Sequence, residues 1–345
     1  IIEPGHFRFT ANGETVVRLE ERLGYVHKGA EGLLAGADLH RAARIVARLS
    51  GDSTVAYSFA FARAAEAAFG IEAPPRARLL RGVMAELERI ANHFGDIGAI
   101  CNDAAFAIAH AHCGIFRERV LAASDCAFGH RLMMDRIVPG GITTDIESGA
   151  AADIVATLDD LAPRFAEIAR LYDETPSLQD RTCTTGIVSR ALVERWAAGG
   201  HVGRASGRDF DARRDCTYPP YDSVALTVPV LEGGDVDARV WVRIREIEAS
   251  MNLLRGWLGA LPQGPIRVDL PSRSQPVEGI AMVEAFRGDL LVWLRIADGK
   301  VARAHSRDAS QFQWPLVEAA IEGNIVADFP LCNKSFNCSY SGHDG

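Results

Sequence analysis

The sequence lacks the features that mark membrane-spanning, nucleic-acid-binding and disordered proteins. No apolar run in its 345 residues approaches the roughly 18 residues that cross a membrane. Lys and Arg total 37 against 45 Asp and Glu, and the net charge of −8 gives no indication of a basic nucleic-acid surface. A hydrophobic share of 48% excludes a disordered chain. We therefore expect a globular protein that reaches a membrane only through a partner.

The chain has few cysteines, and their spacing matches no paired-cysteine motif. The chain holds seven cysteines, an odd number that argues against a secreted disulfide framework, and no two of them form a CxxC motif. The sequence also lacks GxGxxG, GxxxxGK[ST] and GxSxG motifs, which excludes the commonest nucleotide and hydrolase signatures. The chain starts at Ile1 rather than at methionine, which is typical of a trimmed or processed chain.

Hydrophobic periodicity predicts an α+β fold, with a mainly helical core flanked by small antiparallel β elements. The predicted strands cover 5–27, with a turn at Asn12-Gly13, and 277–286, 289–297 and 300–306. The predicted helices cover 38–69, a segment that opens at Pro74-Pro75, 101–135, about 150–172, 241–258 and about 314–322. We divide the chain into an N-terminal β-hairpin region (1–37), a helical core (38–175) and a mixed C-terminal region (176–345).

Three local patterns carry polar or sulfur side chains, and none alone defines a site. His110-Ala111-His112-Cys113 is the densest group of soft ligands, but residues two apart on a helix point to different faces. Cys332 and Cys338 are six apart, which is not a metal-knuckle spacing and favours ordinary buried thiols. Ser50-Gly51-Asp52-Ser53 supplies hydroxyls and a carboxylate, yet this pattern equally interrupts or caps a helix.

Several short sequence motifs occur along the chain. Their order is more specific for a protein family than any single motif. They are EPGHFRF at 3–9, RLGYVHKG at 22–29, PPRA at 74–77, ELERI at 86–90, PGGI at 139–142, RASG at 204–207, PQGP at 262–265 and EAFRG at 284–288. This order resembles the catalytic large subunit of membrane-bound, energy-converting NiFe hydrogenases, including formate hydrogenlyase, and their relative, the D-type, quinone-site subunit of respiratory complex I. The resemblance spans essentially the whole chain and implies a NiFe-hydrogenase large-subunit-like fold.

The chain departs from the hydrogenase pattern at the metal ligands. That family holds nickel and iron with two CxxC motifs, one near each end. Matching Arg44 and Ala56-Tyr57 places Val46 and Leu49 at the first pair of cysteine positions. Matching Asp328 and Tyr340-Ser341 places Ser339 and Gly342 at the second pair, with Cys338 one residue out of register. Aliphatic side chains, a hydroxyl and a glycine do not replace soft thiolates, so we predict that the NiFe centre is absent.

The resemblance also implies a vestigial cavity. It would be lined by the loop around Glu3 and His6 and by the tail from Asp328 to His343. Glu3 stands where hydrogenases carry a glutamate proposed as a proton gate, and Arg287 matches the arginine that overhangs the metal. We expect Arg287 to pair with Asp52 or Asp328, because a buried charge needs a partner.

The quinone-binding positions of the complex I relative are also not retained in register. In that family a histidine of the first β loop and a tyrosine of the following helix bind the quinone headgroup. The resemblance places Pro4 and Ala47 at these positions, and His6 lies two residues from the first. A quinone site that uses His6 stays open as an alternative.

The resemblance predicts a non-hydrogenase subunit, peripheral on the cytoplasmic side of a membrane complex, that couples electron transfer or a conformational change to ion movement. Its expected partners are a small iron–sulfur subunit of the B type found in complex I, which would carry the Fe–S cluster, and antiporter-like membrane subunits. This chain is expected to bind no cofactor itself. The alternatives are a quinone reductase, a hydrogenase with atypical ligation and a purely structural adaptor.

Overall fold

Long helices form most of the chain, and short antiparallel sheets lie at their flanks. The computed structural model describes residues 3–273 and 275–345. The helices are α1 (Ala30–Leu34), α2 (Leu39–Val46), α3 (Thr54–Phe69), α4 (Pro75–Asp103), α5 (Ala107–Phe128), α6 (Ala150–Glu174), α7 (Pro176–Thr182), α8 (Arg190–Arg195), α9 (Gly200–Ala205), α10 (Ala212–Asp215), α11 (Val236–Gly259), α12 (Ser310–Ile321), α13 (Phe329–Phe336) and α14 (Tyr340–Asp344). The strands are β1 (His6–Asn12), β2 (Thr15–Arg22), β3 (Ile137–Val138), β4 (Gly141–Ile142), β5 (Val277–Ala285), β6 (Gly288–Ala297) and β7 (Lys300–Arg307). The predicted α+β class is confirmed.

Helix α4 lies at the centre of the helical core. It packs against α5 and α11, while α6 packs against both α5 and α11. Its start at Pro75 follows from proline's fixed φ and missing N–H, which suit the first helical position. The apolar stripe predicted from the sequence is buried, with Val83, Ile90 and Phe94 fully inside. None of the described helices combines the length and hydropathy needed to cross a bilayer.

The N-terminal hairpin and the C-terminal sheet form where turn residues predict them. Strands β1 and β2 pair from His6↔Arg22 to Asn12↔Thr15, and Gly13 takes the left-handed conformation between them. Strands β5, β6 and β7 form an antiparallel meander that packs on α3. Gly279 permits this packing, since a Cβ there would lie 2.0 Å from the carbonyl oxygen of Ala64. The sheet thus lies directly against the helical core.

The segment 38–69 is not one helix, contrary to the sequence-based prediction. Helix α2 ends at Val46, a 3₁₀ turn occupies Gly51–Ser53, and α3 begins at Thr54. Small polar residues with Gly51 compete for backbone hydrogen bonds here and favour a turn. The buried carboxylate of Glu88 then accepts hydrogen bonds from the backbone of Val55 and Ala56, at 2.7 and 3.1 Å. This turn places Asp52 beside the C-terminal segment.

Candidate functional site: a polar cavity at the C-terminal segment

A polar cavity of about 560 Å³ lies where the two ends of the described chain meet the helical core. Its walls come from the 50–52 turn, from α4 and α5, from Arg287 after β5 and from the segment that joins α13 to α14. Glu3 closes one side, where its carboxylate accepts hydrogen bonds from the backbone N–H groups of Tyr340 and Ser341, both at 3.1 Å. The C-terminal tail therefore returns to the core and forms part of the cavity.

Asp52 and Arg287 form the central ion pair of the cavity. The two guanidinium nitrogens donate to the two carboxylate oxygens at 2.7 and 2.6 Å. Burial alone would raise the pKa of Asp52, but Arg287 overcomes this effect and holds the pKa at about 2. Arg287 also donates through Nε to the carbonyl oxygen of Asn337 at 2.5 Å, which ties the 50–52 turn to the tail. This pair is therefore both charged at neutral pH and structural.

Two serine hydroxyls join the same two segments. Oγ of Ser50 and Oγ of Ser339 lie 2.8 Å apart and share a hydrogen bond. Ser339 is the N-cap of α14, where its Oγ accepts from the backbone N–H of Gly342 at 2.9 Å. The hydroxyls thus close the cavity wall by hydrogen bonding with one another and with the backbone.

Asp96 connects the cavity to a buried set of charges. Its carboxylate accepts from Nδ2 of Asn337 at 2.8 Å and from Nε of Arg243 at 3.3 Å. Nη2 of Arg243 lies 2.9 Å from Nε2 of His201. Burial and the nearby Arg243 lower the pKa of His201 well below its ordinary value, so this ring is neutral.

Behind these residues, Arg204 contacts three carboxylates in a solvent-excluded cluster. It pairs with Glu246, with Glu284 at 2.8 Å and with Asp211 at 3.3 Å. All four side chains are at most 1% exposed. Nε2 of His93 adds a contact of 2.6 Å to Glu246. Such a cluster is stable only when every charge keeps its partner.

The residues that the resemblance places at the hydrogenase ligand positions lie in different surroundings. Val46 and Leu49 are buried in the hydrophobic core and lie outside the cavity lining. Ser339 lines the cavity, whereas a Cβ at Gly342 would lie 2.8 Å from the carboxylate of Asp308. The thiolate donors that a nickel–iron centre requires are therefore missing from these positions.

One thiol lies in the cavity wall. Burial raises the pKa of Cys338 well above the ordinary thiol value. Within residues 3–273 and 275–345, no cluster of three or more His, Cys, Asp or Glu side chains has the geometry to hold a metal ion.

Other residues singled out in the sequence lie apart from one another. His6 is exposed on β1, outside the cavity lining. Asp328 pairs with Arg181 at 3.1 Å, so Asp52 is the partner of Arg287. Of the sulfur and imidazole group on α5, His110 lines the cavity, while Cys113 is buried in the core. His112 packs beside the ring of Phe116, at a centroid distance of 6.2 Å.

The sequence motifs missed three charged residues of the cavity. Asp96, Arg117 and Lys334 line it from α4, α5 and α13. The sequence gives a weak indication that Asp96 is a buried polar residue, because the residues next to it on the helix are largely apolar. Arg117 had no such indication, since it looks like an ordinary charge on a solvated helix face, and Lys334 was included only as one residue of the predicted tail from Asp328 to His343. Only the tertiary fold brings them together.

The fold and cavity define a large-subunit-type protein of respiratory complexes, and comparison identifies its family. The profile described as "Respiratory-chain NADH dehydrogenase, 49 Kd subunit" matches residues 108–279. The D-type subunit of the NADH-quinone oxidoreductase of Dehalococcoides mccartyi is 31% identical over 296 residues, which cover 85% of this chain and 80% of that protein. The chain therefore belongs to the family of the 49 kDa, or D-type, subunit of respiratory-chain NADH dehydrogenase.

Hydrogenase subunits are also similar to this chain. The "Carbon monoxide-induced hydrogenase" of Rhodospirillum rubrum is 28% identical over 337 residues, covering 97% of this chain and 93% of that protein. "Formate hydrogenlyase subunit 5" of Escherichia coli is 30% identical over 351 residues, and the match spans 99% of this chain but only 60% of the relative. The resemblance to both groups that the sequence motifs indicated is confirmed.

A solved structure shows the same fold. A chain in the structure of "the membrane-bound sulfane sulfur reductase (MBS), an archaeal respiratory membrane complex" aligns with a TM-score of 0.93 at 23% identity. The alignment covers 100% of this chain and 95% of the other. At this identity the likeness establishes the architecture alone.

Proposed function

We propose that this chain is a non-hydrogenase, large-subunit-like component of a membrane-associated oxidoreductase complex. Its family membership and its similarity to hydrogenase subunits support the class of complex. One observation carries the non-hydrogenase part of the proposal. The cavity is intact and held by the Asp52–Arg287 pair, while the positions that would supply four thiolates carry Val46, Leu49, Ser339 and Gly342.

The electron carrier in this proposal belongs to a partner. A small iron–sulfur subunit of the complex I B type docks against the face formed by the regions around the degenerate cysteine positions, where Arg48 and Gly51 are exposed, and holds an Fe–S cluster there. This chain itself binds no cofactor. Antiporter-like membrane subunits complete the complex, and the chain sits peripherally on the cytoplasmic side of the membrane. Its role is to couple electron transfer, or the conformational change that accompanies it, to ion movement.

The rigid connections around the cavity support this coupling role. Arg287 joins the 50–52 turn to Asn337, and Asp96 joins Asn337 to Arg243 on α11. A change in charge within the cavity would therefore act on hydrogen bonds that connect five separate parts of the chain: the 50–52 turn, the β5–β6 turn, the α13–α14 segment, α4 and α11. Electrostatic coupling through such a buried network is strong, because the surroundings screen it weakly.

Anaerobic purification from the native membrane tests the proposal. The chain, carrying an affinity tag, is expected to co-purify with an iron–sulfur subunit and with antiporter-like subunits, and to contain no stoichiometric nickel by elemental analysis. The matched control is a formate hydrogenlyase large subunit, purified in the same way, from which nickel is recovered. Stoichiometric nickel in this chain, or its recovery as a lone protein without an iron–sulfur partner, contradicts the proposal.

A further inference from the structure

The cavity contains three carboxylates, and each already has its hydrogen-bond partners. Asp52 is paired with Arg287, and Asp96 is paired with Arg243 and Asn337. Glu3 accepts two backbone N–H groups from the tail. Asp52 and Asp96 are thus paired with arginines and Glu3 is held by backbone N–H groups, so none of the three carboxylates forms an ion pair with Arg117 or Lys334.

Two cations of the lining have no such partner. Among the described residues, none forms an ion pair with Arg117 or Lys334 or accepts a hydrogen bond from either side chain. The contrast with the neighbours of Arg117 on α5 is clear, since Glu118 pairs with Arg131 and Arg119 pairs with Asp160. Both Arg117 and Lys334 are only partly exposed, so solvent compensates their charges incompletely.

The position of Arg117 is fixed by the packing of α4 against α5. A Cβ at Gly95 would lie 3.1 Å from Cδ and 3.4 Å from Nε of Arg117. Because Gly95 has no side chain, the aliphatic part of Arg117 can pack across α4 at this point. Arg117 also lines a second cavity of about 170 Å³ beside Asp52, so this one side chain contributes to the walls of both cavities. A charged group held in this way is available to a ligand rather than folded onto the surface.

We propose that the cavity that Arg117 and Lys334 both line binds a small anion, an inference that deepens the proposed function by naming the class of molecule that this site accepts. A planar guanidinium group recognises the paired oxygens of a carboxylate or oxyanion, and the Lys334 ammonium adds a point charge from α13. His110 lines the same wall and offers a ring nitrogen. A neutral ligand would leave both charges without a partner, so the cavity favours a compact anion with one or two charges.

Binding of two probe anions to the isolated full chain tests this inference. Sodium thiosulfate and sodium formate are titrated at constant ionic strength, and binding is followed by calorimetry and by the rise in Tm. We expect saturable binding of at least one probe, weakened at least tenfold by Arg117→Gln or Lys334→Gln and lost in the double variant. Arg195→Gln and Lys300→Gln remove the same charge from exposed positions and are expected to bind as the parent does.

The conservative variants Arg117→Lys and Lys334→Arg separate charge from folding. We expect them to keep binding within about tenfold of the parent, because the positive charge remains. Failure of both probes to saturate the parent protein, or equal binding by the parent and a folded double variant, overturns the inference. Neither result bears on the proposed function, since nickel content and partner recovery are measured in the purified complex.

Discussion

Arg287 and Asp52 lie 235 residues apart in sequence and form a two-bonded ion pair at 2.7 and 2.6 Å. The arginine side chain is buried, while 40% of the aspartate side chain is exposed to the cavity. Their contact connects the turn between α2 and α3 with the turn between β5 and β6. The pair therefore fixes the cavity floor from two distant parts of the chain.

Arg287→Gln is expected to lower the free energy of unfolding by about 1–3 kcal/mol, less than for a fully buried pair because cavity water reaches Asp52. The double variant Asp52→Asn/Arg287→Gln is expected to recover part of this loss, since no carboxylate is then left without its cation. Because the pKa of Asp52 is lowered to about 2 in the folded protein, the contribution is present above pH 4 and disappears as the pH falls through 2. Urea unfolding measures the loss of stability and its pH dependence. If the losses in the single variants Asp52→Asn and Arg287→Gln add up to the loss in the double variant, the two residues are not coupled.

Glu88 gives a pH dependence of the opposite sign. Burial, and less strongly the nearby Asp52, raise its pKa to about 8 although two backbone N–H groups hydrogen-bond to it. A raised pKa in the folded state means that stability is greatest below about pH 4.5 and is lost as the pH rises to 8. Each pKa unit corresponds to about 1.4 kcal/mol.

Glu88→Gln is therefore expected to flatten the pH dependence of stability between pH 5 and 8, and to lose one of the two backbone hydrogen bonds because an amide nitrogen cannot accept an N–H. Urea unfolding at several pH values provides the measurement. Glu194→Gln is the matched control on an exposed helix and is expected to leave the slope unchanged. A parent-like slope in the Glu88→Gln variant would show that Glu88 does not titrate in this range.

Gly342→Ala tests whether the position of Gly342, which the resemblance aligns with a hydrogenase ligand, can hold a side chain. The added Cβ would lie 2.8 Å from the Asp308 carboxylate, which is itself held by Tyr57 and the backbone of Ser310, both at 2.8 Å. We expect a loss of about 1–3 kcal/mol, the usual cost of overpacking. Gly256→Ala, on an open surface of α11, is expected to stabilise by roughly 0.5–1 kcal/mol. Thermal unfolding compares them, and equal Tm values would refute the steric argument.

Arg204→Met tests the buried charge cluster. Without the guanidinium group, Glu246 and Glu284 lose a shared cation in a site closed to water. The expected loss is about 3–5 kcal/mol. Arg190→Met removes an exposed pair with Glu194 and is expected to change stability by no more than about 0.5 kcal/mol. A loss below about 1 kcal/mol at Arg204, measured by denaturant unfolding, would mean that the cluster rearranges.

Local signals in the sequence predicted most of the fold. Asn12-Gly13 fixed the first hairpin, and the apolar stripe of α4 was long enough to identify the helix. The ends of the helices were less predictable where contacts with other parts of the fold determine them. The 38–69 prediction missed the turn at Gly51–Ser53, since the carboxylate that satisfies the start of α3 comes from Glu88 on another helix. The 101–135 prediction likewise joined segments that separate between Asp103 and Ala107 and end before Gly129.

The cavity was only partly predictable. The motif order pointed to Glu3, Asp52, Arg287 and the tail, which the fold brings together. The same motifs grouped His6 and Asp328 with them, but His6 is exposed on β1 and Asp328 has its own cation in Arg181. Arg117 and Lys334 could not be found this way. Their significance depends on the absence of a partner, and pairing is a property of the folded structure.

Arg204 has a consequence for how this family can change. Since Arg204 is the cation that Asp211, Glu246 and Glu284 share, substitution of any one of these four residues changes the charge balance of a cluster that is closed to water. These residues must be kept or replaced as a set.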